Sequence, residues 1–380
     1  MNLLELTQNT NLTVWILLGI FTVSTFIQNG YYLFVYTAVI KYKNGEKTCR
    51  GEPISVIICA RNEAENLVKN LPLILEQEYP EFEVIVVNDA STDDTDLVLI
   101  ELAGKYDKLR YTGIPVNDKF AHGKKLAVTI GIKAARYNHL LFTDADCYPV
   151  SRNWIRLMTC NLTPEKSIVL GYGKYENQPG MLNKLIRYET LFTAIQYLSM
   201  AIRGNPYMGV GRNLAYKRNL FFENRGFAAH YHVRSGDDDL FINEAATGTN
   251  TVVELSHRSH TTSTPHTAFR DWIRQKQRHL EAGRCYSLKS KIRISMEPIS
   301  RLFFYGTLVA LCIISDWIWI VLGIFMLTHL VKAIVIKLGM ARLNERYLLL
   351  PSLVFEPIMP LLLAVIIFSG FFVSNNQTWK

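Results

Sequence analysis

From Ile54 to Thr143, short apolar runs alternate with helix-patterned stretches, and this feature constrains the fold most. Ile54-Ser55-Val56-Ile57-Ile58-Cys59 is nearly continuous in apolar character, as expected of a strand buried on both faces. A helical pattern follows from Glu63 to about Leu75, then a strand over Glu83-Val84-Ile85-Val86-Val87, then a helix from Asp93 to about Leu102. Leu109-Arg110-Tyr111 reads as a weaker strand. Gly123 to Arg136 reads as a helix on the spacing of Leu126, Ile130 and Ala134, and Leu140-Leu141-Phe142-Thr143 as the next strand. Such alternation implies an α/β domain with a mostly parallel sheet. Ligands of these sheets gather at the carboxyl ends of the strands, where Asn62, Asp89 and Asp144 all fall.

The two ends of the chain are lipid-like. Residues 14–40 carry no charge and are long enough to cross a bilayer, too long for a signal-peptide core. Lys41, Lys43, Lys47 and Arg50 follow, which places residue 41 onward in the cytosol and the N-terminus outside. Residues 301–336 exceed one span, and Ser315-Asp316 interrupts them, so a hairpin is expected. Lys332, Lys337, Arg342 and Arg346 mark its cytosolic return, and a last span runs over 348–373. Four spans with both termini outside satisfy the charge rule, and the domain over 50–285 is then cytosolic. Glu356 lies inside the last span, as a functional acid or as a partner for backbone freed by Pro357 and Pro360. The net charge of +8 comes without a nucleic-acid motif, so a membrane surface and phosphorylated substrates are the expected partners and nucleic acid is not. The six cysteines show no CxxC pair, which points to a reduced compartment with no disulfide.

Two acid clusters carry the chemistry. Asp144-Ala145-Asp146 follows a strand; if extended, it turns both carboxylates to one side, hard ligands for Mg²⁺ or Mn²⁺. Asp237-Asp238-Asp239 crowds three carboxylates beside apolar residues, which raises their pKa values. A plain helix start is the simpler use of that stretch. Asp89 is placed to accept from a base N–H or to make an Asx-turn, with Ser91 or Thr92 as the more natural cap. Lys124 or Lys125, at a helix start, can reach a diphosphate. Gly209 to Tyr216, including Arg212, lets backbone approach a ligand closely. Residues 181–203 form an amphipathic helix for the core or the interface. Phe269–Leu280 sets Trp272 on one side and Arg270, Arg274 and Arg278 on another, as an interfacial basic helix does. His257, His260 and His266 lack zinc spacing, and a glycoside-hydrolase carboxylate pair leaves Asp89 and the basic helix unexplained.

These motifs in this order resemble the family 2 inverting glycosyltransferases. The resemblance rests on Pro53 to Glu63, Val86 to Thr95, Asp144-Ala145-Asp146, Asp237-Asp238 and Gln275-Lys276-Gln277-Arg278-His279, over residues 53–285. It implies a GT-A fold, a Rossmann-like mixed sheet, with the flanking spans of membrane members. It further implies that Ala60, Asn62, Glu63, Asp89, Lys124, Asp144 and Arg212 hold a nucleotide-sugar, most naturally a UDP-sugar. Asp146 with Asp144 would bind the metal. Asp238 would act as base, with Asp237, Gln275 and Arg278 around the reacting centre. The acceptor expected is a lipid or glycan at a membrane, here a bacterial inner membrane, with processive polymer synthesis and a catalytically silent binding protein as the alternatives. His279 stands where the family usually has Trp, which removes a stacking surface.

Overall fold

The computed structural model describes residues 12–45, 49–115, 123–233 and 235–370. Lys47 and the end of the expected last span, 371–373, lie outside them. Helix α1 (Leu12–Lys41) contains a π-helical turn at Tyr31–Tyr36. There follow β1 (Ile54–Ala60), α2 (Ala64–Leu75), β2 (Phe82–Asp89), α3 (Thr95–Lys105), β3 (Leu109–Ile114), α4 (Lys124–Ala134), β4 (His139–Asp144) and β5 (Cys147–Pro149). Next come α5 (Trp154–Thr159), β6 (Ile168–Leu170), β7 (Gly173–Tyr175), α6 (Met181–Ile202), β8 (Leu214–Lys217), α7 (Arg218–Glu223), α8 (Asp239–Ala245), β9 (Thr251–Val253) and β10 (Thr261–Ser263). The chain continues through α9 (Phe269–Gly283), α10 (Leu288–Ile314), α11 (Ile318–Arg342) and α12 (Leu349–Gly370).

The main sheet has the order β3-β2-β1-β4-β8-β6-β9. β3, β2, β1 and β4 run parallel, and β8 pairs antiparallel to β4 and β6. β1 is buried at every position, and its side chains alternate between two layers. Ile54, Val56 and Ile58 pack with Leu67, Leu71 and Leu99 of α2 and α3. Ile57 and Cys59 face Ala127, Val128 and Ile132 of α4. Each fully buried Val or Ile contributes roughly 1.5–3 kcal/mol. Gly131 fixes how closely α4 sits, because a Cβ there would meet Ile57 Cγ2 at 2.6 Å. That seating carries Lys124 to the sheet edge. The chain changes direction at β1, with β2 on one side and β4 on the other, the switch point where such sheets bind ligands.

Helix α6 packs with α1, α11 and α12, and its buried residues belong to the core. Trp272 of α9 is fully buried beside Ile186 and Ile366, so the expected interfacial Trp edge is a core contact; its helix is amphipathic because it packs on α6 and α12. Among the described residues, four helices are long and apolar enough to cross a membrane: Leu12–Lys41, Leu288–Ile314, Ile318–Arg342 and Leu349–Phe368. α10 starts thirteen residues before the expected hairpin because Ser287 caps it, accepting from Ser290 N. Glu356 meets Lys332 Nζ at 2.6 Å and Arg301 Nε at 3.4 Å, and Arg301 also pairs with Glu297. The acid serves ion pairing between helices, and its neighbours are charged because an isolated carboxylate is costly there. The expectation of no disulfide is corrected: Cys49 and Cys160 are joined, with Cα atoms 4.7 Å apart. They are 111 residues apart in sequence, and only folding, which brings the end of α5 beneath the segment after α1, makes them neighbours.

Candidate active site

The carboxyl ends of β1, β2 and β4 meet the N-termini of α4 and α8. Asp144 closes β4, and residues 145–146 form a tight turn into β5, where an extended segment was expected. The turn still converges the acids: oxygens of Asp144 and Asp146 and the Cys147 sulfur lie within 4.8 Å of one another. Burial and then the Asp144 charge push the Asp146 carboxyl up to about 6, with Arg212 opposing. Burial pushes the Cys147 thiol well up as well, and its sulfur lies 2.9 Å from Ser263 Oγ. The thiol therefore stays protonated, and two crowded carboxylates remain as the donors. Two hard carboxylates this close together fit Mg²⁺ or Mn²⁺.

Lys124 ties this cluster to the second one. Its Nζ lies 2.8 Å from Asp144 Oδ1 and 3.3 Å from Asp237 Oδ2. Asp144, Lys124, Gly211, Asp237 and Asp238 line one small pocket over Ile57 and Cys59. Of the two lysines left open by the sequence, Lys125 turns away. It is buried and donates to the carbonyls of His230 and Val233 at 2.7 and 2.8 Å, holding the segment before the acid triplet.

The three aspartates separate into three environments. Gly236 precedes them at φ +89°, a conformation that needs glycine, and its ideal Cβ would strike Leu240 at 2.5 Å. Asp237 faces Lys124. Asp238 is the N-cap of α8: Oδ1 accepts from Asp239 N at 2.8 Å and Oδ2 from Gly211 N at 2.5 Å. Asp239 is buried and accepts from Tyr286 Oη at 2.7 Å and Leu240 N at 2.8 Å. Burial and the Asp237 charge push Asp238 up to about 6; burial and the Asp238 charge push Asp239 up to about 7.

The other expected residues divide. Asp89 is fully buried at the end of β2 with Arg61 Nη1 at 3.9 Å. Asn62, at φ +55°, accepts from Thr92 N at 2.8 Å and donates its backbone N–H to Ser91 Oγ at 2.9 Å. Glu63 N donates to Thr95 Oγ1 at 3.0 Å. Ala60 is buried at the strand end. Asn62 and Glu63 thus lock the loops after β1 and β2 together, and Ala60 contributes its position. The Arg212 guanidinium lies 4.3 Å over the Tyr175 ring, and Gln275 Nε2 donates to Tyr175 Oη at 3.3 Å. The Arg278 carbonyl accepts from Ser235 Oγ at 2.8 Å, which joins α9 to the acid loop. Tyr175 and Tyr286 escaped sequence reasoning; neither lies in a motif, and each acts through a neighbouring side chain, Gln275 and Asp239.

A parallel switch point, an acid pair after the fourth strand, and a second acid cluster at a helix start define a GT-A-type glycosyltransferase domain. Residues 55–223, just under half of the chain, match the family model "Glycosyl transferase family 2". The chain is similar to a poly-beta-1,6-N-acetyl-D-glucosamine synthase of Staphylococcus epidermidis, 27% identical over 173 residues, which is 44% of this chain and 40% of that relative. It is also similar to glycosyltransferase AglE of Haloferax volcanii, 36% identical over 104 residues, 27% of this chain and 33% of that one. Each match therefore spans well under two thirds of the relative's length. The solved mannosyltransferase PcManGT of Pyrobaculum calidifontis, in complex with GDP-Man and Mn²⁺, shares the fold at a TM-score of 0.54 and 18% identity, over 94% of this chain and 96% of that one.

Proposed function

We propose that the protein is a multi-pass membrane glycosyltransferase that moves a sugar from a nucleotide-sugar to a lipid or lipid-linked acceptor, with inversion, on the cytosolic face. The observation that carries this reading is the meeting of the two acid clusters at Lys124. Asp89 offers a buried acceptor for the base, and a UDP-sugar, with its imide N–H, suits it. Lys124, Arg212 and Arg278 supply positive charge for the leaving diphosphate. Asp144 and Asp146 are the residues that would hold Mg²⁺ or Mn²⁺, which adds charge stabilisation to the same leaving group when bound.

The acid pair Asp237–Asp238 takes the proton of the acceptor hydroxyl as its oxygen attacks the anomeric carbon. The sequence favoured Asp238. Its two oxygens are committed to backbone amides, so Asp237, opposite Lys124, is the better base, and Asp238 holds α8 and Gly211 in place. One displacement inverts the centre and releases the nucleoside diphosphate. Gln275 acts through Tyr175 to seat Arg212. The basic residues after the first apolar helix support the cytosolic placement. The name of the Staphylococcus relatives supports a second reading, repeated transfer to a growing polysaccharide. Purified protein given radiolabelled nucleotide-sugars and a membrane extract tests both. Label in the organic-soluble fraction is expected, label in a long water-soluble polymer favours the second reading, and no transfer from any donor rejects both.

A further inference from the structure

A groove of about 870 Å³ runs between α1 and α10 and plays no part in the nucleotide site. Ile16, Ile20 and Val23 form one wall and Ile292, Met296 and Phe303 the other, all open to the surroundings. Tyr31 Oη donates to the Arg293 carbonyl and Gln28 Nε2 to Ser300 Oγ, which fixes how the antiparallel helices are offset. Ile16 then lies beyond the level of Phe303, and the path from Lys291 to Ile16 is roughly 25 Å at about 1.5 Å per residue. One leaflet provides only about 15 Å, half of the ~30 Å hydrocarbon core.

The mouth of the groove is basic. Lys291 lines it, and residues 284–296 hold Arg284, Lys289, Lys291 and Arg293 with no acid. This mouth is also fastened to the helix that Asp238 caps. Ser287 N donates to Asn243 Oδ1 at 2.9 Å, Asn243 Nδ2 to Ser290 Oγ at 3.2 Å, and Tyr286 Oη to Asp239. Lys291 follows directly on Ser290.

We propose that this groove binds the acceptor as a phosphorylated lipid whose single hydrocarbon tail is longer than one leaflet, with Lys291 on its phosphate. A partner helix could fill the apolar walls but has no use for a mouth of cations beside the acid helix. The acceptor role rests on the glycosyltransferase reading; occupancy of the groove does not.

The test uses the full chain in nanodiscs of zwitterionic lipid. The probes are a long-chain polyprenyl monophosphate with a diazirine in its tail and the matching alcohol. The phosphate probe labels peptides of α1 and α10 in wild type. Lys291→Gln lowers that labelling about tenfold, the worth of one charge-assisted contact, and leaves alcohol labelling unchanged. Gly19→Trp, at a position where a Cβ meets nothing within 4 Å, fills the groove and removes both signals. Equal labelling by phosphate and alcohol, unchanged in Lys291→Gln, overturns the proposal in favour of ordinary bilayer lipid. Dimeric particles with no labelling in the groove overturn it in favour of a protein interface. Labelling as described, with no nucleoside diphosphate released from any donor, keeps the groove and rejects the glycosyltransferase reading.

Discussion

Asp238 is held by two backbone amides while Asp237 faces Lys124, and the roles proposed within the triplet divide on that difference. Asp237→Asn should lower kcat by about 10²–10⁴ and leave nucleotide-sugar affinity nearly intact, because the group lost is the proposed base. Asp238→Asn keeps a competent cap but turns an amide N–H₂ toward either Gly211 N or Asp239 N. It should destabilise α8 by about 1–3 kcal/mol and affect turnover only through that shift. Melting curves beside steady-state kinetics separate the two; a kcat collapse in Asp238→Asn with unchanged melting returns the base to Asp238. Burial and the Asp237 charge push the Asp238 carboxyl up to about 6, and its carboxylate is the form that accepts from both Gly211 N and Asp239 N. Protonation of that anchor disturbs the site, so kcat/KM should rise with pH through about 6 and level off above it. A flat profile from pH 5 to 7 contradicts this assignment. Asp146→Asn removes one of two hard ligands, and wild-type turnover should stop in chelator; full activity in chelator removes the metal from the account.

At the level of elements, the strands of the parallel half were legible because β1 and β2 are buried on both faces and read as near-continuous apolar runs. The second half was not. β5, β6, β7, β9 and β10 are three residues each, too short to show a period. The convergence of Asp144 and Asp146 was legible in their spacing although the turn between them was not. Tyr175 could not be found, because its use depends on Arg212 and Gln275 arriving from distant segments. The ion-paired cluster among α10, α11 and α12 was visible only as one acid, Glu356. Glu356→Ala leaves Lys332 buried without its closest partner and should cost about 3–5 kcal/mol. Glu356→Met with Lys332→Met should recover most of it. Thermal unfolding in detergent checks this, and an additive double variant would show the pair to be uncoupled.

For the whole molecule, the apolar helices and the acid site belong to one structure: α6 packs on α1, α11 and α12 while its neighbour α9 reaches the acid loop. Charge flanking the helices predicts that a reporter inserted near Asn344 reads cytosolic and one fused after Lys380 reads outside. Both on one side would reject four spans. The Cys49–Cys160 pair bears on the same question, since disulfides are rare in the cytosol. Alkylation with and without reductant in intact cells reports whether those two thiols are free there. The central claim is sugar transfer at the pocket that Lys124 bridges, and the most direct test measures nucleoside diphosphate released from nucleotide-sugars by purified wild type and Asp237→Asn in the presence of membrane extract. The account predicts extract-dependent release in wild type, reduced at least about a hundredfold in the variant while donor binding persists. Equal release by the two proteins, or none from any donor, would contradict it.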